Sequence, residues 1–267
     1  MDEFAPRARV SFRAGSKPAP LAVAWPPAAL TAVGRRVLLR RSGRSAGRPA
    51  RVAATTGRRR PAPVMRLYSS PFAPNPRRVR IFLSEKGLTV PTVDVDLARL
   101  DQRSEGFSAL NPFQAVPVLA LDDGVVLSES IAICRYFEEI QPDPPLFGVG
   151  PLERALVEMW QRRLELGLLL HIAHAFRHSH PHMAEMERPQ IAELAQASKP
   201  KAIAAMTRID RDLGTRPFIA GERFSVADIT GLVALDFAKT ARIAIPEELG
   251  NLRRWRAALA ARPSAQA

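Results

Sequence analysis

The sequence predicts an α/β domain followed by an all-helical domain. Two observations carry this reading. Between Met65 and Ile140 strand-like and helix-like patterns alternate, and from Leu152 onward only helical patterns occur. A third is the change of texture at Met65, upstream of which neither a period of 2 nor one of 3.6 is sustained. With 267 residues, 46% hydrophobic and 24% charged, the chain is long enough for two modest domains with ordinary buried cores.

From Ala5 to about Pro63 the chain is dominated by Arg, Ala, Pro, Gly, Ser and Val, with no acidic residue after Glu3. Such a segment buries too little apolar surface to offset its ordering entropy, so residues 1–64 are expected to be a disordered basic extension or a mis-assigned start. An Arg-rich, acid-poor stretch also suits a transit peptide, a nucleic-acid-binding arm or a membrane-surface segment. The folded elements then follow in order. Arg66–Tyr68 reads as a short strand. Asn75-Pro76 opens a helix in which Val79, Phe82 and Leu83 repeat at i, i+3, i+4 until Gly87 stops it. Val90–Val95 alternates as a second strand, and a helical stretch around Arg99–Ala109 follows. Val116–Leu121 and Val125–Leu127 flank Asp122-Asp123-Gly124, a hairpin signal. Ser128-Glu129-Ser130 starts a helix running to about Ile140 and closed by Gln141-Pro142. The order βαβαββα is that of a thioredoxin-like domain over residues 65–141. Four prolines and two glycines mark 142–151 as a linker. Helical patterns over 152–179, 188–213, 225–240 and 250–261 make an all-helical domain over 152–267.

The net charge of +13 is unevenly placed: residues 1–64 hold 14 of the 39 Lys and Arg but only two of the 26 acidic residues. The remainder is close to neutral. A nucleic-acid partner is therefore not expected, except through the extension. A single cysteine, Cys134, excludes an intrachain disulfide, a Cys-x-x-Cys redox centre and a cysteine-based zinc site, and fits a reducing compartment. No run of about 18 apolar residues argues for a membrane span. A cytoplasmic protein without a membrane partner is expected.

Three stretches resemble one family. The first is Tyr68-Ser69-Ser70-Pro71-Phe72-Ala73-Pro74-Asn75-Pro76-Arg77-Arg78-Val79. The second is Asn111-Pro112-Phe113-Gln114-Ala115-Val116-Pro117-Val118-Leu119 with Leu127-Ser128-Glu129-Ser130-Ile131-Ala132-Ile133 after it. The third is Phe218-Ile219-Ala220-Gly221-Glu222-Arg223-Phe224-Ser225-Val226-Ala227-Asp228. Through them residues 65–262 resemble cytosolic-type glutathione S-transferases, particularly bacterial ones. The resemblance implies a transferase that binds glutathione and activates its thiol for attack on a small hydrophobic electrophile. It also implies a detoxification role, a homodimer, glutathione as cosubstrate, and no metal or organic cofactor. A glutathione-dependent peroxidase or disulfide reductase, or a non-catalytic glutathione- or protein-binding module of the same fold, is the alternative.

By this resemblance Val116, Pro117, Gln114, Glu129 and Ser130 bind glutathione. A cis Val116-Pro117 bond would turn the valine N–H and C=O outward, where an extended peptide can pair with them. Otherwise the proline is simply tolerated at the start of a strand. Glu129 and Ser130 sit at a helix N-terminus, suited to the zwitterionic γ-glutamyl group: Ser130 and the free N–H groups to its carboxylate, Glu129 to its ammonium. Helix capping by Ser128 or Ser130 is compatible with that role. The thiolate donor is less plain. Six residues before Val79, where the serine and cysteine classes place it, stands Ala73, which has nothing to donate. In one bacterial class a Thr and an Asn two residues later share the work, and Asn75 keeps the second of these positions. Asn75 also reads as an N-cap with Pro76 at N1. Ser70, with Ser69 beside it, is the other catalytic candidate, while Tyr68 reads as core.

All five histidines lie between His171 and His182, and His171, His174 and His178 share a helix face. With no acidic residue between Glu165 and Glu185, a metal is not expected. His171, His174, Phe176 and Arg177 are expected to border a second-substrate pocket, or else form an ordinary solvated helix end. Cys134 reads as a packed hydrophobe. Ser225-x-x-Asp228 reads as a structural N-terminal cap.

Overall fold

A computed structural model describes residues 65–267. The extension 1–64, and the disorder expected of it, lie outside the described residues. Four short strands, β1 (Arg66–Ser69), β2 (Thr92–Asp94), β3 (Val118–Ala120) and β4 (Val126–Ser128), form one sheet in the order β2-β1-β3-β4. β2 runs parallel to β1, whereas β3 is antiparallel to both β1 and β4. Helix α1 (Pro74–Glu85) crosses between β1 and β2, α2 (Glu105–Leu110) between β2 and β3, and α3 (Ser130–Ile140) follows β4. This is the expected βαβαββα order of a thioredoxin-like fold. Five helices follow: α4 (Gly150–Leu164), α5 (Leu170–Arg177), α6 (Ala192–Asp212), α7 (Val226–Thr240) and α8 (Gly250–Ala260).

Four local expectations are corrected. Helix α1 opens at Pro74, not Asn75. Ala73 is its N-cap without a capping side chain, and Asn75 is the second helical residue. Proline suits the first helical position because its missing N–H would be unpaired there anyway. The stretch Arg99–Ala109 is divided. Leu100 adopts a left-handed backbone, a 3₁₀ turn covers Asp101–Arg103, and Ser104 then caps α2 by accepting from the Phe107 N–H at 3.3 Å. The helix expected over 152–179 starts at Gly150 and contains a π turn at Glu165–Leu169 before continuing as α5. Arg188 stays outside α6, because a residue preceding proline is pushed away from the helical region.

Helix α7 is apolar nearly all round, so it lies at the centre of the core. Every residue from Val226 to Leu235 is buried. Its first turn is closed by Asp228, which is wholly buried and accepts four hydrogen bonds: Ile219 N–H (2.9 Å) and Trp255 Nε1 (3.0 Å) on Oδ1, and Ser225 N–H (2.9 Å) and Oγ (2.8 Å) on Oδ2. Trp255 of α8 then lies so close to α7 that a β-carbon at Gly231 would overlap its ring.

One hydrophobic core runs through both parts of the chain, joining Leu67, Phe82 and Ile133 to Trp160, Leu168 and Leu232. Polar ties reinforce the seam. Arg77 donates to Asp236 Oδ2 at 2.7 Å, and Arg262 makes a fork to Glu85 at 2.8 and 2.7 Å. The Lys86 ammonium is buried against Glu138 at 2.6 Å and also reaches the carbonyls of Gln141, Pro142 and Pro144. Phe147 N–H donates to the other Glu138 oxygen at 3.2 Å, and Leu146 C=O accepts from Val226 N–H at 2.9 Å.

Candidate functional site

The strand register gathers the candidate residues at one end of the sheet. Tyr68 pairs with Val118, and Val118 with Ser128. Because β3 is antiparallel to its neighbours, the chain leaving β1 at Ser69, entering β3 from Pro117 and leaving β4 at Glu129 does so at the same edge. Ser70–Ala73, Gln114–Pro117 and Glu129–Ser130, distant in sequence, therefore become neighbours. Packing tightens this: Ala73 and Tyr68 lie against a small cluster formed by Val95, Phe107, Val116 and Val118.

The Val116-Pro117 bond is cis, and the Val116 N–H and C=O make no hydrogen bond with other described residues. Glu129 has φ 68°, a left-handed conformation that costs a non-glycine residue energy, and it is exposed directly before α3. Ser130, the first residue of α3, is 3% exposed. Gln114 shares the unusual geometry with φ 52°, but its amide is turned back to donate to Ser108 Oγ at 2.9 Å. Phe113 beside it is 84% exposed.

Around the first loop three arginines of α1 point in three directions. Arg80 donates to Ser69 Oγ (3.3 Å), Ser70 C=O (3.1 Å) and Pro71 C=O (2.8 Å), fixing the loop that carries Ser70. Arg77 reaches α7. Arg78, 3% exposed, donates through Nη2 to Asn75 Oδ1 at 2.8 Å and through Nη1 to Glu165 Oε1 at 2.9 Å. A guanidinium has only donors, so the oxygen of the exposed Asn75 amide is the atom that faces Arg78 and its NH₂ is left to other acceptors. Pro74 and Pro76 have no N–H, which leaves Asn75 as the donor in the first three positions of the helix.

Glu165, Arg78 and Arg80 were absent from the sequence-based site. A signal existed in the three arginines near the start of a helix, where the macrodipole disfavours cations and partners are therefore implied. Tyr68 is half-buried and stacks edge-on against Phe107 at 6.1 Å. Cys134 is completely buried, and burial drives its thiol far above the ordinary range.

The histidine region is a separate locality. His171 and His174 lie on α5, and burial, followed by Lys201 for His171 and by His178 for His174, lowers both below the usual imidazole value. Phe176 packs against Phe237 of α7 at 5.1 Å, and Arg177 pairs with Glu187 at 2.6 Å. His178 accepts from Ile191 N–H at 3.2 Å. No hydrogen bond, ion pair or ring contact among the described residues joins His171, His174, Phe176 or Arg177 to the sheet-edge loops. The helical part reaches the start of α1 through Glu165, which accepts from Arg78, and through Asp236, which accepts from Arg77.

Comparison with known proteins gives the same picture. The family model for the glutathione S-transferase N-terminal domain matches residues 70–140, and that for the C-terminal domain matches residues 162–263. Glutathione S-transferase 2 of Saccharomyces cerevisiae is 37% identical over 203 residues, covering 75% of this chain and 87% of that protein. A stringent starvation protein A homolog of Coxiella burnetii is 30% identical over 165 residues, covering 62% and 71%. The crystal structure of a glutathione S-transferase domain-containing protein from Marinobacter aquaeolei superposes with a TM-score of 0.73 at 39% identity, covering 74% of this chain and 98% of that one. The chain belongs to the glutathione S-transferase family, as a transferase with a thioredoxin-like N-terminal domain and a helical C-terminal one.

Proposed function

We propose that this transferase binds glutathione through the sheet-edge loops and uses its thiolate to attack an electrophilic carbon of a small hydrophobic second substrate. Val116 pairs through its main chain with the cysteinyl unit, next to Pro117 and Gln114. Glu129 meets the γ-glutamyl ammonium, and Ser130 with the α3 N–H groups takes the carboxylate. The observation that carries the reading is the Asn75 amide, held at its oxygen by Arg78 with its NH₂ free at the N-terminus of α1. A hydrogen bond to a charged group contributes about 1.5–3 kcal/mol. That lowers a thiol pKa by about one to two units from its free value of about 8.5, enough to ionise it near neutrality. Ser70 is the second candidate donor.

Glutathione is the cosubstrate, and neither metal nor organic cofactor enters the reaction. His171, His174, Phe176 and Arg177 border the second-substrate pocket in this reading. Association as a homodimer, in keeping with the family resemblance, would cover the exposed Phe113. Detoxification of electrophiles in the cytoplasm is the corresponding role. Ala73 favours one other reading, a module that binds glutathione or a protein without ionising the thiol. Ultraviolet titration of bound glutathione decides between them. A thiol ionising near neutrality that reverts in Asn75→Ala or Ser70→Ala supports the transferase mechanism. One titrating like free glutathione in the native protein overturns it.

A further inference from the structure

We infer that Arg78 is the positioning residue of the thiolate site, and that Glu165 in the π turn makes the helical domain part of that site. The inference rests on the reading of Asn75 as the thiolate donor and adds what holds Asn75 in place. An exposed asparagine amide is free to rotate about its terminal torsion, and half of its orientations present an oxygen, which repels a thiolate. Arg78 removes those orientations. Its guanidinium is buried, it touches Asn75 only at Oδ1 (2.8 Å), and its second nitrogen is fixed by Glu165 (2.9 Å), which Arg162 also holds at 2.9 Å.

The arrangement has a backbone cause. Helices α4 and α5 are one continuous rod interrupted by the π turn that begins at Glu165. A π turn inserts one residue and rotates everything after it relative to what precedes it, a device often found at functional sites. Here the carboxylate stands at that junction, aimed at a residue 87 positions earlier in the chain. The planar fork of arginine spans the two acceptors, while a lysine keeps the charge but not the fork. Arg78→Lys therefore separates geometry from charge.

The experiment measures the pKa of the bound glutathione thiol by ultraviolet difference absorbance in the full chain and in Asn75→Ala, Arg78→Lys, Asn75→Ala/Arg78→Lys and Glu165→Ala. Thermal unfolding of each variant is followed in parallel. The expected result is a rise of about one pKa unit in Arg78→Lys, which from a value near about 7 is a roughly fivefold smaller thiolate fraction at about pH 7. The double variant should match Asn75→Ala alone, since Arg78 acts through Asn75. Glu165→Ala should raise the pKa by a smaller amount, and it decides the matter if Arg78→Lys does not fold. If Asn75→Ala shifts the thiol but Arg78→Lys and Glu165→Ala do not, or if the effects add, the inference falls and the Asn75 reading stands. If Asn75→Ala leaves the thiol unchanged, both fall.

Discussion

Replacing Asp228 with asparagine is an isosteric change whose cost can be worked out atom by atom. The carboxylate accepts two donors on each oxygen. Asparagine has one acceptor oxygen, and the placement that saves most keeps it toward Ile219 N–H and Trp255 Nε1. The NH₂ then meets Ser225. The serine hydroxyl can rotate to accept one amide hydrogen, but the Ser225 N–H is left facing another donor, buried and without a partner. A buried orphan donor costs about 1–3 kcal/mol, and the two retained bonds lose their charge assistance, so the total is about 3 kcal/mol. For a domain of this size that lowers the Tm by about 6–12 °C. Thermal and urea unfolding followed by circular dichroism measure it, with an unchanged urea slope showing that stability alone has moved. Glutathione affinity and turnover at 25 °C should stay within about twofold, because Asp228 anchors helix ends rather than the sheet edge. A Tm fall below about 2 °C would refute the account of Asp228 as the acceptor that holds Ile219, Ser225 and Trp255 together.

Gly231→Ala should be worse than the small helix-propensity gain of alanine suggests, since its methyl group overlaps Trp255. Expect a loss of about 2 kcal/mol or more in chemical unfolding, with partial recovery in Gly231→Ala/Trp255→Phe. At Glu85, burial raises the carboxyl but Arg262 and Ser264 outweigh it, leaving its pKa below the ordinary value. A depressed folded pKa gives stability that is complete above the unfolded value of about 4.3 and is lost as pH falls through the folded one. The Tm should therefore drop more steeply below about pH 4 in the native protein than in Glu85→Gln, and parallel curves would contradict this. The native protein should scatter light as a dimer and Phe113→Arg as a monomer with the helical signal intact; a native monomer, or a mass unchanged by the substitution, would contradict the proposed interface at Phe113.

Features governed by local chemistry were legible in the sequence. The Asp122-Asp123-Gly124 turn, the apolar sweep of α7 and the Ser225-x-x-Asp228 cap all depend on neighbours within a few residues. The convergence of Val116, Glu129 and the first loop also followed from the element order, because antiparallel pairing brings those ends together. What sequence reasoning missed lies in long-range partners. The π turn has no signature in Leu164–Leu170, where leucines satisfy an α-helix and a π turn equally well. Asn75 looked like a cap because Asn-Pro is a capping dipeptide, but Pro74 claims the first helical position and Arg78 uses the amide oxygen. The orientation of Asn75 is thus decided partly by Glu165, which no local period announces.

The seating of Lys86 bears on how this protein can be recombined with relatives. Its ammonium grips the carbonyls of Gln141, Pro142 and Pro144, on both sides of the apparent boundary after Gln141, and its partner Glu138 also holds Phe147 N–H. The segment through Phe147 therefore belongs mechanically to the first domain, whatever its proline content suggests. A chimera cut at Gln141 would give one parent's lysine another parent's strap and bury an ammonium against mismatched carbonyls. A cut after Gly148 would carry lysine, glutamate and strap together, so helical domains exchanged at that later joint should fold where those exchanged at the earlier one do not.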